Sequence, residues 1–136
     1  MTRTLLVIDD NKSVRDSLGF LLERRGYAVL AAEDGAAGIA VAAKEHIHGA
    51  LVDVHMPGMN GVTVCRLLRE QAARIGREVA VWLMTGAWTS EVERAAREAG
   101  ALLLLQKPFD IPDLLSRIEA EIGPPPARPA AEPDPF

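Results

Sequence analysis

The sequence predicts an α/β protein organised around a five-stranded parallel sheet. Three observations predict it. Short, continuous apolar runs occur five times, a segment with apolar residues at helical spacing follows each run, and Gly, Pro, Asn or Asp punctuates the transitions. Because every strand after the first follows a helix, the connections must be crossovers and the strands must run parallel.

The first strand and the first helix are predicted over residues 4–8 and 11–26. The run Thr-Leu-Leu-Val-Ile is typical of a strand that helices cover on both faces. The segment Asn11-Lys12-Ser13 supplies a turn and a candidate N-cap, and Gly26 ends the helix. The apolar residues of this helix recur at helical spacing: Val14, Leu18, Leu21 and Leu22.

The second and third strands are predicted over residues 27–32 and 50–53. An Ala-rich helix lies between them, begins after a Glu-Asp-Gly turn and ends near Lys44. The third strand carries Asp53 at its carboxyl end, and Met56-Pro57-Gly58 then forces the chain to turn. The next helix has one apolar stripe, formed by Val64, Leu67 and Leu68.

The fourth and fifth strands are predicted over residues 79–84 and 101–106. Ser90 is the predicted N-cap of the helix between them, and Gly100 ends that helix. Asp110 is the predicted N-cap of the last helix. The buried face of this helix follows helical spacing closely: Ile111, Leu114, Leu115, Ile118 and Ile122.

The composition limits the function. Lys and Arg total 15 against 19 Asp and Glu, a net charge of -4, so the chain lacks the basic footprint of a direct nucleic-acid binder. Its 136 residues, 49% of them apolar, suit one domain, predicted over residues 1–123. Cys65 is the only cysteine, and its helical context predicts a buried hydrophobe. The N-terminal apolar run is too short for a signal peptide or a membrane span, which predicts a cytoplasmic protein with no membrane association.

Residues 124–136 are predicted to form a disordered, Pro-rich tail, because their composition cannot bury a core. Such a tail is too short to fold as an output domain. Unless the chain is a fragment, we therefore expect it to act by changing its binding to another protein.

Four of the five predicted strands end in polar residues that suit one another chemically. Asp9 and Asp10 follow the first strand, Asp53 ends the third, Thr85 follows the fourth and Lys107 follows the fifth. Parallel strands bring these residues to one edge of the sheet. Three carboxylates there would repel one another unless a cation lay among them. Mg²⁺ suits an all-oxygen site of this kind.

With a cation in place, Asp53 can act as a nucleophile toward phosphorus and form an acyl phosphate. Lys107 would offset charge on the transferred group, and the Thr85 hydroxyl would donate to one of its oxygens. Structural interpretations stay open for each residue: Asp9 and Asp10 as helix caps, Lys107 as an ion-pair partner, Thr85 as a turn residue. Their joint occurrence at four strand ends favours the chemical interpretation.

The chain resembles the receiver domain of two-component response regulators over about residues 3–122. Four motifs in family order carry the resemblance: Val7-Ile8-Asp9-Asp10, the segment 52–61 around Asp53, Met84-Thr85-Gly86 and Lys107-Pro108-Phe109. The resemblance implies a doubly wound, flavodoxin-like sheet in the strand order 2-1-3-4-5, flanked by five helices. It also implies that Asp53 accepts a phosphoryl group from a sensor histidine kinase or a phosphotransfer protein.

The resemblance further implies the ligands of the cation. Asp10 and Asp53 would bind Mg²⁺ directly, Asp9 mostly through water, and His55 through its backbone carbonyl. The Lys107-Pro108 bond would be cis, as it usually is in the family. A homodimer would form through the fourth helix, the fifth strand and the fifth helix. A kinase would dock on the exposed side of the first helix, around Ser17, Phe20 and Arg24.

The sequence departs from the family pattern near the predicted site. Leu104 stands three residues before Lys107, where receivers usually carry a Tyr or Phe that swings inward on activation. The usual coupling of phosphorylation to the fourth helix and fifth strand, and the dimer surface, are therefore in question. Trp88 is a candidate substitute that would report phosphorylation. His55 and Ala87 stand at positions that flank the path of water to the phosphoryl group in the family. We therefore expect His55 to affect the rate of dephosphorylation.

The alternative function is a small Mg²⁺-dependent phosphohydrolase that uses the same aspartyl chemistry. Enzymes of the haloacid-dehalogenase type carry a second Asp two residues after the nucleophile, but here that position is His55, which argues against an enzyme. Turnover separates the two functions, since a receiver stops near one phosphoryl group per chain. A dinucleotide-binding domain is excluded because Asp9-Asp10-Asn11, and not a Gly-rich loop, follows the first strand.

Overall fold

A computed structural model describes residues 2–125, in which five strands and five helices alternate. Most of the predicted tail, residues 126–136, lies outside the described part of the chain. The strands are β1 (Thr4–Ile8), β2 (Ala28–Ala32), β3 (Gly49–Asp53), β4 (Ala80–Thr85) and β5 (Leu103–Gln106). The helices are α1 (Lys12–Arg24), α2 (Gly35–Lys44), α3 (Gly61–Arg74), α4 (Ser90–Glu98) and α5 (Ile111–Ile122).

The five strands form one parallel sheet in the order β2-β1-β3-β4-β5. Helices α1 and α5 cover one face, and α2, α3 and α4 cover the other. The predicted fold class and strand order are confirmed. The winding reverses between β1 and β3, and the carboxyl ends of strands at such a reversal form the crevice where open α/β sheets bind ligands.

Strand β3 lies at the centre of the sheet, and all five of its residues are buried. Alternate residues of a strand point to opposite faces, so each face of β3 packs into a different apolar core. Leu51 packs with α1 and α5, whereas Ala50 and Val52 pack with α2, α3 and α4. The strand that ends in Asp53 is therefore held from both sides.

Each helix begins with a side-chain cap that accepts the amide hydrogen three residues further on. The caps of α1, α2, α3 and α5 are Asn11, Asp34, Asn60 and Asp110. The prediction of Ser90 as the cap of α4 is wrong. Thr89 has the extended backbone of a cap, and its hydroxyl accepts the amide of Val92 at 3.1 Å, so Ser90 is the first helical residue.

The ends of the last two strands differ from the prediction. Strand β4 includes Thr85, and β5 begins at Leu103, where it pairs with Trp82. Gly100 has φ +85° and turns the chain out of α4, so the two residues after it serve as a connection instead of extending the strand. As an edge strand, β5 has partner contacts on one side only, which leaves Leu103 37% exposed.

The predicted buried face of α5 packs into the core, with Ile111 and Ile122 partly buried. Cys65 is buried within α3 as predicted. Burial raises the pKa of the Cys65 thiol to about 11, which keeps it protonated and unreactive at neutral pH. No helix within residues 2–125 combines the length and apolar character needed to cross a membrane.

Candidate phosphoacceptor site

The polar residues at the strand ends meet at one edge of the sheet, because β1, β3, β4 and β5 are parallel neighbours. Asp53 is the last residue of β3, and Thr85 is the last residue of β4. Asp9 directly follows β1, and Lys107 directly follows β5. Chain segments that lie up to about a hundred residues apart are therefore brought together by the strand order alone.

Three carboxyl groups cluster at this edge. One carboxylate oxygen from each of Asp9, Asp10 and Asp53 lies within 4.8 Å of the others. Asp9 is fully buried, Asp53 is 6% exposed and Asp10 is exposed to solvent. The predicted proximity of the acids is thus found, with one open side through which a cation and a ligand can enter.

Lys107 reaches into the cluster from the loop after β5. Its Nζ lies 2.8 Å from Oδ2 of Asp9 and 3.5 Å from Oδ1 of Asp53. The Lys107-Pro108 bond is cis, as expected from the resemblance. The ammonium group therefore bridges two of the three acids, and it pairs most closely with Asp9.

The pKa values of the cluster reflect burial and close charges. Burial raises the pKa of Asp53, the charge of Asp9 raises it further, and Lys107 opposes both. Burial acts to lower the pKa of Lys107, but the hydrogen bond to Asp9 and the charges of Asp53 and Asp9 outweigh burial and raise it. An ionised Asp53 is thus held in a site where negative charge lacks full compensation, which favours the approach of a cation.

Asp9 is fixed by its neighbours and does not cap α1, because Asn11 takes that role. Its Oδ1 accepts the amide of Asn11 at 2.9 Å, and its Oδ2 accepts the ammonium of Lys107. The guanidinium of Arg15 donates to the Asp9 carbonyl oxygen at 2.8 Å. Sequence reasoning missed Arg15, since a charged residue on a helix gives no signal beyond that of a solvated face.

Thr85 is fully buried, and the hydrogen-bond partners of its hydroxyl are groups other than the three acids. Its Oγ1 accepts the amide of Ala87 at 3.0 Å and lies 3.1 Å from Nε2 of His55. The sequence placed His55 beside the acceptor but did not predict this contact between its imidazole and Thr85. The contact joins the loop after β3 to the end of β4.

The comparison with known families gives a match to the response regulator receiver domain over residues 5–119. The chain belongs to this family. The resemblance that the four motifs indicated is therefore confirmed, and the chain is a signalling receiver of two-component systems and not a classical enzyme.

Relatives of known sequence and structure agree with this assignment. Response regulator MprA of Mycobacterium leprae is 34% identical over 116 residues, which cover 85% of this receiver and 49% of MprA. The receiver thus spans about half the length of the curated relatives it matches. Chemotaxis protein CheY4 of Vibrio cholerae has a TM-score of 0.81 at 27% identity, covering 89% of this chain and 99% of CheY4. A Burkholderia pseudomallei response regulator with a phosphorylated aspartic acid, a calcium ion and citrate has a TM-score of 0.76 at 28% identity, covering 88% and 72%.

Gly61, the first residue of α3, lets that helix pack closely against the end of β3. A Cβ on Gly61 would overlap the carbonyl oxygen of Asp53 and would lie 2.8 Å from its carbonyl carbon and 2.9 Å from Cα of Val54. The Gly61 amide donates to the carbonyl oxygen of Val54 at 2.9 Å. This close approach of two backbones holds Asp53, and the sequence did not predict it.

Gly61→Ala is expected to lower the free energy of unfolding by about 1–3 kcal/mol, because rigid backbone must move to admit the methyl group. The displacement of Asp53 should also slow its phosphorylation. Gly19→Ala in α1 is the control, since its Cβ would meet its nearest atom, Cγ1 of Val29, at 3.8 Å, an ordinary contact. Urea denaturation should show a loss for Gly61→Ala and no loss for Gly19→Ala; equal stability of the two variants would contradict the prediction.

Leu104 and Trp88 occupy the region where the receiver departs from its family's pattern. Leu104 is partly buried and packs against the core formed with α2, α3 and α4. Trp88 lies three residues beyond Thr85, is 44% exposed, and donates from its indole nitrogen to Glu93 at 3.3 Å. An aromatic ring is therefore present in the loop next to the site, and its role as a substitute reporter stays a prediction.

Proposed function

We propose that this receiver accepts a phosphoryl group on Asp53 from a sensor histidine kinase or a phosphotransfer protein, with Mg²⁺, and thereby changes its binding to a downstream protein. The observation that carries the proposal is the cluster of Asp9, Asp10 and Asp53 with Lys107 bridging two of them. The relative whose solved structure contains a phosphorylated aspartic acid supports it.

The donor set of the cluster fits Mg²⁺. It offers carboxylate oxygens on an open edge, and hard divalent cations prefer oxygen ligands while keeping several waters. Asp10 and Asp53 would hold the ion directly, together with the backbone carbonyl of His55. Asp9 would act through water, because its two oxygens already accept hydrogen bonds from Asn11 and Lys107. When bound, Mg²⁺ neutralises charge on the transferring phosphoryl oxygens.

The transfer requires Asp53 as an ionised nucleophile. A bond forms between one of its carboxylate oxygens and phosphorus while the bond from phosphorus to the donor's imidazole nitrogen breaks, and the donor leaves with that electron pair. Lys107, with Nζ 3.5 Å from the Asp53 carboxylate, offsets the negative charge of the transferred group. The Thr85 hydroxyl then donates to a phosphoryl oxygen after leaving its present partners.

The surface beside α1 suits a phosphodonor protein. An apolar groove of about 540 Å³ runs between α1 and the start of α5, and Lys107 borders it. Its lining includes Ser17, one of the residues expected to meet the kinase, and Phe20 on the same helix is 61% exposed. The guanidinium of Arg24 lies 5.6 Å from the Phe20 ring centroid. A helix docked in this groove would bring its histidine toward Asp53.

Trp88 fluorescence is expected to change when beryllofluoride and Mg²⁺ occupy the site. The Thr85 hydroxyl accepts the amide of Ala87, so a move of Thr85 toward Asp53 must disturb the residue beside Trp88. Trp88→Phe is the control, because Trp82 is 1% exposed and should contribute a constant signal. Binding is verified separately by a Mg²⁺-dependent rise in melting temperature; bound beryllofluoride with an unchanged Trp88 signal would contradict the prediction.

A further inference from the structure

The hydroxyl of Thr85 has two hydrogen-bond partners in the receiver as it stands. The backbone amide of Ala87 can only donate, so it uses one lone pair of Oγ1. The hydroxyl proton still requires an acceptor, because an unsatisfied buried hydroxyl is costly. Within residues 2–125, the acceptor in hydrogen-bond distance is Nε2 of His55, at 3.1 Å.

The chemistry of the two side chains therefore sets the direction of this bond. Nε2 of His55 is the acceptor for the proton of Thr85, which leaves Nδ1 of the ring as the nitrogen that carries a hydrogen. His55 is exposed, so water can serve as the partner of Nδ1. The same hydroxyl proton is the one that the proposed function assigns to a phosphoryl oxygen on Asp53. His55 and the phosphoryl group thus compete for one proton.

We propose that His55 is a positioning residue that holds the Thr85 hydroxyl until Asp53 is phosphorylated and then releases it. The inference rests on the proposed function, because it assigns Thr85 a second partner at the same site. The His55 imidazole thus takes part in the change between two arrangements of Thr85, one bonded to His55 and one bonded to the phosphoryl group. The effect of His55 on phosphoryl lifetime then operates through Thr85 and not through water.

The two partners of Thr85 connect its hydroxyl to residues at the surface. Release of His55 breaks a link between the loop after β3 and the end of β4, and the departure of Thr85 also frees the Ala87 amide. The His55 ring borders a groove of about 350 Å³ that Glu91 and Val92 of α4 line. Release of His55 is therefore expected to alter this groove beside α4 without the aromatic ring that receivers usually carry at the position of Leu104.

A double-mutant cycle between His55 and Thr85 tests the proposal. His55→Ala should bind beryllofluoride with Mg²⁺ roughly three- to tenfold more tightly than the wild type, since one competing hydrogen bond is lost. This gain should disappear in the Thr85→Val background, whereas a gain that persists there overturns the proposal. His46→Ala removes another exposed histidine and is the control. His55→Gln, whose amide oxygen can accept a proton, should recover part of the wild-type value.

Two further measurements separate a positioning role from simple crowding. The nitrogen NMR signals of the His55 ring should shift when beryllofluoride is added to the wild type and stay fixed in Thr85→Val; identical behaviour of the two overturns the proposal. The change in dephosphorylation rate caused by His55→Ala should vanish without the Thr85 hydroxyl, whereas a role in positioning water would preserve it.

The proposed function is checked on the same samples by intact mass. A wild type that gains a phosphoryl group but shows no coupling between His55 and Thr85 overturns the role of His55 alone. A wild type that neither gains a phosphoryl group nor binds beryllofluoride overturns the proposed function and, with it, this role.

Discussion

Asp53→Asn is expected to abolish phosphorylation of the receiver by acetyl phosphate with Mg²⁺. The amide keeps the shape of the side chain but lacks the ionised oxygen that attacks phosphorus. Intact-mass measurement should show one added phosphoryl group in the wild type and none in the variant. Asp16→Asn is the matched control, because Asp16 is an exposed carboxylate paired with Lys12 outside the cluster.

The same substitution should stabilise the metal-free receiver at neutral pH. The pKa of Asp53 is raised above 3.8 by burial and then by the charge of Asp9, so the folded state binds its proton more tightly than the unfolded chain does. The resulting stability is present below the unfolded pKa and is lost as pH rises through the folded pKa. At pH values above the folded pKa, Asp53→Asn removes the free-energy cost of burying the ionised carboxylate. Urea denaturation without Mg²⁺ should give a higher midpoint for the variant, and added Mg²⁺ should favour the wild type.

Two outcomes would count against Asp53 as a phosphoacceptor. The first is that Asp53→Asn still gains a phosphoryl group, which would mean that another residue is the acceptor. The second is hydrolysis of many equivalents of a phosphate ester by the wild type, which would favour the phosphohydrolase alternative. A receiver should instead stop near one phosphoryl group per chain.

The fold followed from the sequence because its signals are local and redundant. Five apolar runs separated by helical patterns leave few arrangements other than a parallel sheet, and one misplaced cap does not alter them. Thr89 and Ser90 show the limit: both are good caps, and only the backbone conformation at Thr89 decides between them. The end of α4 at Gly100 was predicted, but periodicity does not reveal that the next two residues are a connection and that β5 begins only at Leu103.

The residue types of the site could also be predicted, but its contacts could not. Strand ends bring Asp9, Asp53 and Lys107 together, whichever acid the lysine prefers. That Lys107 pairs most closely with Asp9 depends on distances of fractions of an ångström. The contact of His55 with Thr85 joins the loop after β3 to the end of β4, thirty residues further along the chain, and no spacing rule relates the two residues.

Lys107→Met is expected to lower the free energy of unfolding of the metal-free receiver by about 3 kcal/mol, because it leaves a buried carboxylate without its ion-pair partner. The Asp9 side chain is 1% exposed and that of Lys107 is 23% exposed. Lys12→Met is the matched control: its ammonium lies 2.7 Å from Asp16, but both side chains are more than half exposed, so its loss should change stability far less. Urea denaturation of both variants makes the comparison.

Two measurements distinguish this ion pair from simple packing: the pH dependence of the stability of Lys107→Met, and the effect of a second substitution at Asp9. Hydrogen bonding to Asp9 and the charges of Asp53 and Asp9 outweigh burial and raise the pKa of Lys107 above 10.5, so its stabilising effect is present below the unfolded pKa. The deficit of Lys107→Met should therefore persist through neutral pH and shrink only as pH rises through the folded pKa. Adding Asp9→Asn should recover part of the lost stability, since it removes the fully buried carboxylate closest to Lys107 and leaves only Asp53 without its lysine partner. If the double variant is destabilised by the sum of the two single effects, Lys107 stabilises the site by packing and not by its charge. In that case, any slowing of phosphorylation in Lys107→Met would be due only to the loss of positive charge next to Asp53.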